Sequence, residues 1–214
     1  MRTYTSELQA LRAEGRLPEN LYLLNNTGNL LRLLGRHDEA LALLHEALRI
    51  ERTGADRTEA PFLLVNVALV HETQGHLTEA ARFAAQALPA ARESGEPMIE
   101  AAALLARARV AARQDRDRRA LPDVHAALAI AAKLTSPPLR VQCLSTAGVV
   151  LAAAGDVGFG VGLVRWAMAQ RDFAPSERED AARHLAALGL ADAAGDALPA
   201  TLTAEELVAR LPLV

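Results

Sequence analysis

Few residues of this 214-residue chain could do chemistry, and they are scattered. His71 beside Glu72 could form an acid–base pair, because an imidazole exchanges its proton near neutral pH. No activated nucleophile accompanies it. The six histidines include no HExxH and no close pair on one helix face, so they predict no metal site. His45 and His125 read as surface or packing positions. Gly155, Gly158, Gly160 and Gly162 resemble a phosphate-binding loop, but no strand precedes them and no Gly-Lys-Ser/Thr follows. They are expected at a turn and a close helix contact. Cys143 is the only cysteine, which rules out an intrachain disulfide and leaves a small core residue. Trp166 and Phe159 are expected to cover core. No catalytic residue, metal ligand or cofactor site is predicted, and the chain is expected not to be an enzyme.

The asparagines are more informative. Asn25, Asn26 and Asn29 fall within five residues of a segment with helical periodicity, and Asn66 follows further on. Asparagine is a mediocre helix former, because its amide competes for backbone bonds. Each amide carries donors and an acceptor, so a row of them can pair with the N–H and C=O groups of an extended main chain. Asn26 and Asn66 could equally bond to neighbouring helices.

Composition indicates the elements that hold these residues. Hydrophobic residues make up 51%, charged residues 23% and aromatic residues 3%. A core built from Ala, Leu and Val, two of them strong helix formers, predicts an all-α fold. The net charge is −3 and Lys133 is the only lysine. The one concentration of arginines, Arg113 to Arg119, is interrupted by Asp115 and Asp117 and reads as a solvated turn. Direct nucleic-acid binding is not expected. Neither a signal peptide nor a membrane span is read, so a cytoplasmic location is expected.

A repeat of about 40 residues runs through the chain. Asn26 aligns with Asn66, Gly35 with Gly75, Ala40 with Ala80, and Ala47 with Ala87, Ala127 and Ala167. Gly35 and Gly75 continue to Asp115 and Gly155; Gly28 continues to Ala68, Ala108 and Gly148. Apolar residues at three- and four-residue intervals flank each central glycine, so each copy predicts two amphipathic helices. The glycine ends the first helix, Asp38 and Thr78 open the second, and Pro61, Pro97 and Pro138 begin the next pair. Pro89 falls inside a second helix and should kink or shorten it.

These residues resemble the tetratricopeptide repeat. Its motif has a small residue in the first helix, a turn Gly, an early Ala in the second helix and another Ala seven residues later. Gly28, Gly35, Ala40 and Ala47 match it, as do Ala68, Gly75, Ala80 and Ala87. The period is longer than the common one of about 34 residues, in the manner of bacterial forms of the repeat. HEAT and armadillo arrays have similar periods and are the structural alternative.

The resemblance implies a right-handed α-solenoid of stacked antiparallel helix pairs. Residues 1–214 would form one domain: a capping helix over 1–20, repeats over 21–60, 61–100, 101–140 and 141–175, and a degenerate cap over 176–214. The first helices would line a groove, with Tyr22, Asn25, Asn26, Asn29, Phe62, Asn66, Leu69, Arg109 and Arg113 as peptide-binding residues and Leu105 beside Arg109. Some members clamp a C-terminal carboxylate. Asn29, Asn66 and Arg109 occupy three of those places, but Asn25 and Leu105 stand where the clamp has lysine, which favours main-chain recognition. The expected function is a non-catalytic scaffold holding an extended protein or peptide segment. The alternative is a ligand- or peptide-sensing domain of a bacterial transcriptional regulator or signalling protein, acting through superhelix change. A homodimer through the terminal repeats is a further expectation.

Overall fold

A computed structural model describes residues 6, 10, 13–15, 20–53, 60–115, 118–199 and 201–212. The capping helix expected over residues 1–20 falls largely outside the described residues, as do Gly54 and the end of the chain at 213–214. All regular structure among the described residues is helical: α1 (Leu21–Leu33), α2 (His37–Thr53), α3 (Ala60–Gln74), α4 (Leu77–Ser94), α5 (Pro97–Asp115), α6 (Leu121–Lys133), α7 (Pro137–Ala153), α8 (Val157–Ala169), α9 (Pro175–Ala187) and α10 (Ala204–Val208), with a short 3-10 turn at Arg118–Ala120. Consecutive helices form antiparallel pairs. None of them is long and apolar enough to cross a membrane.

The chain divides into two compact units, residues 1–99 and 100–214. In the first, α1 packs on α2, α3 packs on α4, α2 packs on α3, and α1 lies against α3. In the second, α7 packs on α6 and α8, α9 covers both α7 and α8, and α10 rests on α7.

The repeated alanines explain how close the pairs lie. Ala40, Ala47, Ala80, Ala87, Ala127 and Ala167 are all fully buried, where a larger side chain would hold the helices apart. At Gly28 a Cβ would come 2.7 Å from Leu44 Cγ; at Gly160 it would meet the backbone nitrogen of Ala152 at 2.5 Å. The turn glycines Gly35, Gly75 and Gly155 have φ of 74°, 80° and 94°, the left-handed conformation that closes a helix. Between α6 and α7 the left-handed residue is Thr135, φ 48°.

Some expectations are corrected. α4 runs through Pro89 without shortening. Proline removes one N–H, stranding the carbonyl of Ala85, but both residues are exposed and water can satisfy it. Thr78 lies inside α4; the N-cap is His76, and no side chain caps it. Arg113 belongs to α5, which continues to Asp115 instead of giving way to a turn at Arg113. Leu105, placed beside Arg109 in the expected groove set, is core at 2% exposed.

Candidate functional site

The expected site residues fall in both units, and each group is described within its own. In the first unit, Tyr22, Asn26 and Asn29 are spaced four and three apart, so they share one face of α1. Phe62, Asn66 and Leu69 repeat that spacing on α3. The opposite side of α1 is fixed by the contact of Gly28 with Leu44 on α2. That contact turns the Tyr22–Asn26 face outward.

The four asparagines have different environments. Asn25 is 6% exposed, and its Oδ1 accepts from Nδ2 of Asn66 at 2.7 Å. This bond joins α1 to α3 across their seam, so Asn25 faces α3, and Asn66 spends one donor within the scaffold. Asn29 is half-buried and accepts from Nε of Arg32 at 3.1 Å. Arg32 is itself buried. Asn26 is exposed and makes no hydrogen bond with any described residue. Tyr22 beside it is 68% exposed, the most open large apolar side chain described. Phe62 and Leu69 are half-buried on α3. Tyr22, Asn26, Asn29, Phe62, Asn66 and Leu69 give this face apolar surface and amides, with the buried Arg32 bonded to Asn29.

Arg109 and Arg113 are half-buried on α5 in the second unit. Nη1 of Arg109 donates to Oγ1 of Thr146 on α7 at 3.5 Å. Gln142 on α7 donates to Glu177 on α9, whose carboxyl burial pushes upward while Arg109 opposes that shift. Sequence reasoning missed Thr146 and Glu177. Glu177 lies outside the better-matched repeats, and Thr146 is a hydroxyl among apolar neighbours, so neither gave a signal. Cys143 is buried as expected, its thiol pushed up to about 12 by loss of solvent.

The chemistry of the remaining candidates is equally bounded. Glu72 is buried while His71 lies against Phe83 of α4, so the two do not form a working acid–base pair. Two histidines come close across a turn without sharing a helix: the rings of His71 and His76 lie 5.9 Å apart. No cluster of three His, Cys, Asp or Glu residues able to hold a metal ion occurs among the described residues.

Residues 19–93, the stretch from just before α1 to near the end of α4, match the family model of the tetratricopeptide repeat. No curated protein and no solved structure matches the chain. Repeats of this kind serve in general as protein–protein interaction scaffolds.

Proposed function

We propose that the chain is a non-catalytic scaffold that holds an extended, uncharged partner segment against the α1–α3 face of its first unit. The observation that carries this reading is Asn26. Its amide is exposed, lacks a hydrogen bond to any described residue, and lies between Tyr22 and Asn29 on one helix face. Such an amide can give a donor and an acceptor to a peptide main chain, while Tyr22, Phe62 and Leu69 offer apolar contact. Asn66 keeps the capacity its bond to Asn25 does not use. Arg32, the cation bonded to this face through Asn29, is buried, which favours main-chain recognition over capture of a terminal carboxylate. Arg109 and Arg113, with Gln142 and Glu177, provide a separate polar face in the second unit. On this reading the later helix pairs continue the repeat in a long-period bacterial form acting in the cytoplasm.

The test is selection of binding peptides from a displayed random library on the full chain, followed by fluorescence anisotropy with the selected peptides. Tyr22→Ala and Asn26→Ala should each weaken binding about tenfold, equivalent to about 1.4 kcal/mol, with the circular dichroism of the chain unchanged. Undiminished binding in both variants would remove this face as the site.

A further inference from the structure

The fold of the first unit packs two histidine rings against one phenylalanine and sets a third beside one of them. Phe83 of α4 is 6% exposed. His71 of α3 stacks on it, with ring centroids 5.5 Å apart and planes 10° from parallel. His45 of α2 tilts against the same ring at 5.8 Å. His76, the N-cap of α4, lies 5.9 Å from His71. The sequence hides this grouping because His71 and His76 are five apart. The turn at Gly75, φ 80°, reverses the chain so that the His76 N–H donates to the His71 carbonyl at 2.9 Å.

The packing suits neutral rings. Nδ1 of His71 is buried and has no hydrogen-bond partner among the described residues. A neutral imidazole can leave that nitrogen as a bare lone pair, but an imidazolium carries N–H on both nitrogens and would strand one. The surrounding charge adds to the difficulty. Arg82 of α4 lies 4.2 Å over the Phe83 ring, and Arg52 of α2 acts on His45. Glu79 of α4 is the anion that favours a charged His71, but its Oε2 already accepts from Arg82 Nε and Nη2 at 2.9 and 2.6 Å. His76 and His45 add to the opposition at His71; Glu72 of α3 and Arg32 of α1 are buried, the latter donating from Nε to Asn29.

We propose that His45 and His71, packed on Phe83, form a proton-operated clasp. With the rings neutral it holds α2 and α3 onto α4; protonation loosens that packing, so the first unit weakens in mild acid. Partial desolvation, the largest cause, holds both the exposed His45 and the half-buried His71 below the ordinary histidine range; Arg82 and Arg52 add to it at His45, and Glu79 partly offsets it at His71. A folded-state value below the unfolded one means that the unfolded chain takes the proton first. The stabilisation is therefore complete above about 6.5, the unfolded histidine value, and is lost as pH falls from there.

The test follows the imidazole Cε1–H signals of the full chain by NMR from pH 8 to 4.5 and its thermal unfolding at pH 7.5 and 5.5. The two signals with nuclear Overhauser contacts to the Phe83 ring should titrate below 6.5. The thermal midpoint should drop by several degrees between the two pH values, and His71→Phe, which keeps the stack without a titrating group, should lose less than half as much. Titration of both signals at or above 6.5 would overturn the clasp, as would equal losses in wild type and variant. If His71→Phe does not fold, the wild-type titration decides alone.

Discussion

Asn66→Ala and Asn26→Ala remove the same side chain from equivalent repeat positions, yet the structure separates their effects. Asn66 donates to the buried Oδ1 of Asn25 at 2.7 Å. Its loss leaves that oxygen in the α1–α3 seam without a donor, a cost of about 1–3 kcal/mol. Alanine recovers up to about 0.7 kcal/mol of helix propensity. The net effect should be a destabilisation of about 0.3–2.3 kcal/mol. Asn26 is exposed and bonded to no described residue, so Asn26→Ala keeps only the propensity gain and should be neutral or stabilising. Urea unfolding of the full chain followed by circular dichroism measures both. A double-mutant cycle of Asn25→Ala with Asn66→Ala should return a coupling of about 1 kcal/mol. Zero coupling, or an Asn66→Ala variant as stable as Asn26→Ala, would refute the division between one asparagine that ties the scaffold and one free to meet a partner.

Three further outcomes are expected. Gly160→Ala would place a Cβ 2.5 Å from Ala152 N and 2.7 Å from Gly148 O, both backbone atoms. It should destabilise the second unit by about 1–3 kcal/mol, read as a lowered thermal midpoint. Thr135→Gly relieves a β-branched residue held at φ 48°. It should stabilise by up to about 1 kcal/mol, since left-handed strain of about 1–2 kcal/mol exceeds the added chain entropy of glycine; a lower urea midpoint would contradict the strain. Cys143, with its thiol pushed up to about 12, should resist an aromatic disulfide reagent at pH 8 in the native chain and react on unfolding. Rapid stoichiometric labelling of native protein would contradict its burial.

The parts of the fold that could be read from sequence are those governed by one residue and its immediate neighbours. Gly35, Gly75 and Gly155 must take positive φ wherever a helix turns back, so their spacing marks the turns. The buried alanines mark where helices touch. The site was less legible because its chemistry depends on which way neighbouring side chains point. Asn25 and Asn26 are adjacent and chemically identical, and a rotation of one helical position puts one in a seam and the other in solvent. Repeat alignment pairs Asn26 with Asn66, but the bond that forms joins Asn25 to Asn66, because packed helices meet along a seam that does not follow the repeat register. The histidine cluster and Glu177 were missed for the same reason: each contact crosses between helices.

The glycine-rich stretch at the start of α8 shows how much a motif depends on what lies over it. After α9 closes at Gly189, φ 77°, residues 194–199 carry no regular structure, and helix resumes at the five-residue α10. This segment approaches α8 backbone to backbone. Asp196 N–H donates to the Gly158 carbonyl at 2.8 Å, a Cβ at Gly162 would fall 2.8 Å from Asp196 O, and one at Gly195 would fall 2.7 Å from Gly162 N. Arg165 secures the same passage by donating to the Ala193 carbonyl. The segment then leads to α10, where Glu205 pairs with Arg140 of α7, and Pro212 O meets His125 Nε2 at 3.0 Å. Glycines in α8 are therefore required to admit a main chain from within the molecule, as a phosphate loop requires them to admit a ligand. The two demands look identical in sequence, since each asks only that no Cβ be present. In the second unit these positions are filled by the chain itself, which directs the search for a partner's main chain to the asparagine face of the first.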